Sequence, residues 1–289
     1  MRSEKEMLDL VIRVAKEDSR VKAVCMNGSR TNPNVPKDPF RDYDIVYLVE
    51  NLPSFLENSS WVDVFGERII MQTPEDSSLF PPTLGGRFTY LMLFTDGNRI
   101  DLMLVPVEEK DSYCKEDRLL AVLLDKDNIL PLLSEVSDQD YWVRKPTLDN
   151  YRDCINEFWW VSTYVVKGLW RKELLYAIDH MNSIRAMLLK MLQWKVGIET
   201  NFTLSVGKNN KYLNKYVDED IWEQLLNTYP AVVYQEVWGA LFTMTKLFEQ
   251  VGLEVGNELG FSYPLEEANR VKEYLRHVST LPGDTKEIY

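Results

Sequence analysis

The 289-residue sequence predicts an α+β chain in two parts, a mixed-sheet domain over residues 1–145 and a helical bundle over residues 146–289. Three observations carry that expectation. Apolar runs of strand length, such as Ile45-Val46-Tyr47-Leu48-Val49, recur before residue 130 and are broken by Gly, Pro and Asp/Asn turns. From Tyr151 onward the apolar residues fall instead at i, i+3, i+4 and i+7. Pro146-Thr147 stands where the pattern changes, and Thr147 is suited to cap the first helix beyond it.

In order, Glu4 to Asp18 carries a helical stripe of Met7, Leu10, Val11, Val14 and Ala15. Val21 to Met26 reads as a strand packed beneath that helix. Three prolines between Thr31 and Arg41 predict an irregular loop. Leu52 to Trp61 reads as turns with a short helix, and Arg68 to Gln72 as a short strand. Pro74 to Arg87 is a loop, broken by Pro81-Pro82 and Gly85-Gly86. Phe88 to Thr95 and Arg99 to Val105 form a hairpin around Asp96-Gly97-Asn98. Tyr113 to Leu124 is predicted as a helix and Asn128 to Leu130 as an edge strand. Five helices are expected in the second part, the later ones over Asp218–Leu226, Val232–Val251 and Leu265–Val278.

The chemistry gathers at two places in the first part. Asn27-Gly28-Ser29-Arg30 is a turn after a strand, and its backbone N–H groups and hydroxyl suit phosphate oxygens. Asp42 and Asp44 open the next strand and point the same way, about 7 Å apart. Such carboxylates resist joint ionisation unless a cation lies between them. Mg²⁺, which binds one or two carboxylates together with substrate phosphates, is the ordinary candidate. Asp101 adds a third acid within the apolar run Ile100-Asp101-Leu102-Met103-Leu104, where an uncompensated charge would be costly. The three read together as a metal–nucleotide site. The second Asp-x-Asp, Asp125-Lys126-Asp127, has no Gly-Ser turn before it and reads as a solvated turn.

Gly28-Ser29, twelve further residues, Asp42-x-Asp44 and a distant Asp101 between hydrophobes resemble the nucleotidyltransferase superfamily that includes DNA polymerase beta. More narrowly, the chain resembles the aminoglycoside 6-adenylyltransferases, which adenylylate streptomycin. The segments Gly28-Ser29-Arg30-Thr31-Asn32, Asp42-Tyr43-Asp44-Ile45, Leu123-Leu124-Asp125-Lys126-Asp127, Asn156-Glu157-Phe158-Trp159, Val161 to Gly168 and Ala177-Ile178-Asp179-His180 carry that likeness over nearly the full length.

The resemblance implies transfer of AMP from Mg·ATP to the 6-hydroxyl of streptomycin, and hence antibiotic resistance. Asp42 and Asp44 would hold Mg²⁺, and Asp101 would serve as general base, as metal ligand or as both. Gly28 and Ser29 would hold the β- and γ-phosphates, while Arg30 would either join them or face away. Related transferases place a lysine on the triphosphate, and Lys208 in the polar turn Gly207-Lys208-Asn209-Asn210 is the position carried over. Cationic acceptors call for carboxylates and aromatic faces. Glu157, Trp159, Tyr176 and Asp179 are the expected contacts, with one of Trp159 and Trp160 turned from the core and His180 structural.

Composition narrows the classes. Net charge is −12, from 33 basic and 45 acidic residues, which disfavours a nucleic-acid partner and favours a polycation. Three scattered cysteines argue against a disulfide frame or structural zinc. The start lacks a signal-peptide core and no apolar run reaches membrane-spanning length, so a soluble, cytoplasmic monomer is expected, with its site in the cleft between the two parts. Two other readings stand: nucleotidyl transfer to a protein or an RNA end, and a nucleotide-binding regulator without catalysis.

Overall fold

The computed structural model describes all 289 residues. By its contacts the chain divides into two compact units, Met1–Asp140 and Tyr141–Tyr289, a few residues ahead of the change of pattern at Pro146-Thr147.

The first unit contains helices α1 (Glu4–Glu17), α2 (Pro53–Leu56) and α3 (Lys110–Glu116). Its strands are β1 (Val21–Asn27), β2 (Tyr43–Val49), β3 (Arg68–Gln72), β4 (Phe88–Phe94), β5 (Arg99–Pro106) and β6 (Leu120–Asp125). The six form one mixed sheet in the order β3-β4-β5-β2-β1-β6. Only β2 and β5 run parallel, and they lie at its centre.

Both faces of the centre are covered, which explains the unbroken apolar runs. Ile45, Tyr47 and Val49 join α1's Met7, Val11 and Val14 in one core cluster. Val46 and Leu48 face the other way, into a cluster with Cys25, Val105, Tyr113 and Leu120. The Tyr47 hydroxyl donates to the Val11 carbonyl at 2.6 Å, tying α1 to the sheet. α1 itself opens with a capping box in which Ser3 and Glu6 satisfy each other's backbone N–H.

Two expectations are corrected here. The helix predicted from Tyr113 to Leu124 ends at Glu116, and Leu120–Asp125 is a strand pairing antiparallel with β1. Leu and Ala are good helix formers, but the open edge of β1 offers a full row of backbone partners, and tertiary pairing overrides propensity. Asn128 to Leu130 forms no strand. The Asp125 carboxylate instead accepts the N–H groups of Ile129 and Leu130 at 2.9 and 3.1 Å, closing a turn.

The second unit is helical: α4 (Leu148–Trp170), α5 (Leu174–Glu199), α6 (Glu219–Leu226), α7 (Tyr234–Leu259) and α8 (Leu265–Thr280). Thr147 caps α4 through a capping box with Asn150. The core of this unit runs along α4, α5 and α7, with Phe158 stacked on Phe248 at a centroid distance of 3.7 Å. Gly168 lets α5 approach α4: a Cβ there would lie 2.7 Å from Tyr176 Cδ1. No helix is long and apolar enough to cross a membrane.

Candidate active site

The parallel register of β2 with β5 decides which acids meet. Asp44 is the Cα partner of Asp101, and Tyr43 of Ile100. One further step along the register puts Asp42 beside Arg99. Residues two apart on a strand share a face, so Asp42, Asp44, Arg99 and Asp101 form a two-by-two tile. It lies on the face that carries Val46, Leu48 and Val105 deeper in the sheet.

β1 brings the phosphate-type turn to the same corner, for Asn27 is the register partner of Asp44. Asn27 is anchored by its amide donating to the Leu119 carbonyl at 3.1 Å and its side-chain oxygen accepting the Tyr113 hydroxyl. Gly28 follows with φ +74°, and a Cβ there would stand 2.1 Å from Asp44 Oδ2. Only glycine permits both this backbone and this approach. Residues 28–30 then make a single turn of 3-10 helix, closed by the Thr31 N–H and hydroxyl donating to the Gly28 carbonyl.

Arg30 resolves the choice that the sequence left open. It packs flat over Tyr43, its Cζ 3.6 Å from the ring centroid. It donates to the carbonyls of Asp42 at 3.0 Å and Arg41 at 2.8 Å, and to Glu4 at 3.1 Å. Its side chain is 6% exposed. Arg30 therefore holds the strand entry that carries Asp42. Arg41 is buried nearby, with Nη1 on the Ser29 carbonyl and Nε unpaired. Arg30 and Arg41 both face the single carboxylate of Glu4.

Among the acids, burial pushes the Asp42 carboxyl above its ordinary range, Arg99 pulls it back and Asp101 pushes it further. Arg99 donates to both oxygens of Asp101, at 2.7 and 2.8 Å, and its Nη1 is 3.6 Å from Asp42 Oδ2. The hydrogen bonds to Asp101 raise the Arg99 pKa. With the guanidinium between them, no three His, Cys, Asp or Glu side chains converge on one point. The donor chemistry still fits a hard divalent cation: three carboxylates on adjoining strands, one of them desolvated and like-charged with its neighbour. The sequence signal for Arg99 was present in Arg99-x-Asp101, which has the same two-residue spacing as Asp42-x-Asp44, but only the register shows what Arg99 faces.

On the helical unit the expected acceptor residues separate. Trp159 is a correction: it is 1% exposed, edge-on to Phe158 and Phe248, and its Nε1 donates to the Tyr263 hydroxyl at 2.9 Å. It is core. Trp160 is the exposed one, at 59%, with its Nε1 donating to the Tyr164 hydroxyl. Glu157 and Asp179 are exposed. Tyr176 lies against His180 at 4.2 Å, His180 meets Tyr164 edge-on at 5.4 Å, and His180 Nδ1 pairs with the Tyr176 carbonyl. The Lys167 ammonium sits 4.7 Å from the Tyr164 centroid and 5.7 Å from that of Tyr176, where these rings hold a cation. Trp160, Tyr164, Tyr176 and His180 thus make one aromatic surface across α4 and α5, flanked by acids. Lys208 is exposed and follows Gly207, whose φ is +75°.

Over residues 1–278 the sequence matches the family described as streptomycin adenylyltransferase. An aminoglycoside 6-adenylyltransferase of Bacillus subtilis (strain 168) is 47% identical over 266 residues, covering 91% of this chain and 94% of that protein. One from Campylobacter jejuni is 48% identical over 266 residues, covering 92% of each. One from Staphylococcus aureus is 39% identical over 279 residues, covering 96% and 99%. The crystal structure of an aminoglycoside 6-adenyltransferase from Bacillus subtilis aligns with 97% of this chain and all of its own, at 40% identity and a TM-score of 0.49.

Proposed function

Because the chain belongs to the streptomycin adenylyltransferase family, and is thus a nucleotidyltransferase, we propose that it transfers AMP from Mg·ATP to the 6-hydroxyl of streptomycin and so confers resistance to it. The single observation that carries the chemistry is the corner formed by Gly28, Asp44 and Asp101, where a phosphate-type turn meets two acids in register.

The Gly28-Ser29 turn receives the β- and γ-phosphates on its N–H groups and the Ser29 hydroxyl, with Arg30 and Arg41 supplying positive charge from behind. A divalent cation held by Asp42, Asp44 and Asp101 would supply neutralisation of the phosphate charge. Asp101 accepts the proton of the acceptor hydroxyl as the hydroxyl oxygen attacks the α-phosphorus and pyrophosphate departs. Lys208 adds a mobile ammonium for the triphosphate.

The acceptor is a polycation, and Glu157, Trp160, Tyr164, Tyr176 and Asp179 on the helical unit offer the acids and ring faces that it needs. The net charge of −12 supports a small cationic acceptor over RNA.

The test is pyrophosphate release with ATP and Mg²⁺, scored with streptomycin, a deoxystreptamine aminoglycoside, RNA and no acceptor. Streptomycin-dependent release that vanishes in Asp44→Asn is the expected result. Release from RNA alone, or an Asp44→Asn protein that turns over at the wild-type rate, would falsify the reading.

A further inference from the structure

Continued one residue beyond Tyr43 and Ile100, the register that seats Asp44 beside Asp101 also sets Asp42 beside Arg99. Arg99 answers this geometry with a two-pronged grip on Asp101 and a third nitrogen 3.6 Å from Asp42. One planar cation therefore spans two carboxylates that would otherwise repel each other. Both of its hydrogen bonds end on Asp101. Its side chain is 43% exposed, against 20% for Asp101. The guanidinium can thus swing to solvent without disturbing the core, whereas the acid it grips is fixed in the central sheet.

We propose that Arg99 is a built-in counter-ion: it neutralises Asp101 and Asp42 in the nucleotide-free protein, occupies the place of the divalent cation, and has to leave before the metal is bound. The inference deepens the nucleotidyl-transfer reading and rests on it. A metal ion and a guanidinium on the same carboxylate oxygens repel each other strongly at such short range. The phosphate oxygens of the incoming nucleotide are the natural next partner for the released guanidinium. Metal entry is thereby tied to nucleotide entry, and the bare protein binds metal poorly. If Arg99 were only a brace for Asp101, it would stay in place in both states.

The experiment measures Mn²⁺ binding by the electron paramagnetic resonance of the free ion. The full chain is used as wild type, Arg99→Met and Arg99→Lys, each with and without a non-hydrolysable ATP analogue. Without nucleotide, Arg99→Met is expected to bind Mn²⁺ at least about tenfold more tightly than wild type, since two charge-assisted hydrogen bonds no longer have to be broken. Arg99→Lys, which keeps the charge and loses the fork, should fall between. With the analogue present the difference should narrow. Melting in EDTA shows whether each variant is folded; if Arg99→Met is not, the gain in Arg99→Lys decides. Equal or weaker Mn²⁺ binding by the folded variants overturns the inference. If wild type binds Mn²⁺ with the analogue but the variants gain nothing without it, Arg99 alone has been misread. If wild type binds no Mn²⁺ even with the analogue, the metal site fails and the inference fails with it.

Discussion

Replacing Gly28 by alanine tests the corner on which the proposed chemistry depends. The new methyl group would stand 2.1 Å from Asp44 Oδ2 and 2.8 Å from its Cγ, and the backbone at φ +74° disfavours any Cβ. The backbone term is about 1–2 kcal/mol. For a protein of this size it should lower the melting temperature by roughly 2–8 °C. The contact term acts elsewhere. The carboxylate of Asp44 must move by an ångström or more, and a displacement of that size in a positioned group can reduce turnover by about 10²-fold. Gly260 at the end of α7 is the matched control, with φ +73° and nothing within 4 Å of its would-be Cβ. Gly260→Ala should lose similar stability and keep its turnover. The assay is pyrophosphate release at saturating ATP and streptomycin, with melting curves on the same preparations. A folded Gly28→Ala protein that matches Gly260→Ala in turnover would refute the argument that Asp44 needs the space above Gly28.

Trp159→Ala should destabilise the helical unit by about 3–5 kcal/mol, as large aromatic deletions from cores do, read by denaturant melting. Trp160→Ala, at an exposed site, should stay within about 0.5 kcal/mol of wild type and raise the streptomycin KM while leaving the ATP KM unchanged. Arg30→Met should lower kcat without abolishing ATP binding, because it loosens the entry of β2 and removes no phosphate contact; selective loss of ATP affinity would return Arg30 to the phosphates. Asp96 grips Arg2 through its backbone N–H and Nε, and the hydrogen bonds with Arg2 hold its carboxyl well below the usual range. A depressed folded-state pKa means that the unfolded chain binds the proton first. This stabilisation is therefore complete above about pH 4, the ordinary Asp value, and is lost as pH falls below it. Asp96→Asn should flatten the fall of melting temperature below that pH.

Much of the site could be read along the chain, because its parts are local. The Gly-Ser turn, the Asp-x-Asp pair and the hairpin bearing Asp101 each declare themselves within a few residues, and strand alternation alone puts Asp42 and Asp44 on one face. The two-part architecture and the five later helices are local in the same sense, since amphipathic periodicity needs no partner to be seen. Even the cap at Thr147 follows from its neighbours.

Tertiary structure decided everything that depends on what lies across from a residue. Leu120–Asp125 is a strand only because β1 presents an open edge. Trp159 is core and Trp160 surface because α7 and Tyr263 lie on one side of α4, a fact that two adjacent tryptophans cannot express. Arg30 turns inward because Tyr43, Glu4 and two carbonyls await it. Arg99 lies between Asp101 and Asp42 because β2 and β5 happen to run parallel in one register. Propensity and spacing are properties of a segment, whereas register, burial and charge pairing belong to two segments at once, and only the folded chain brings those together.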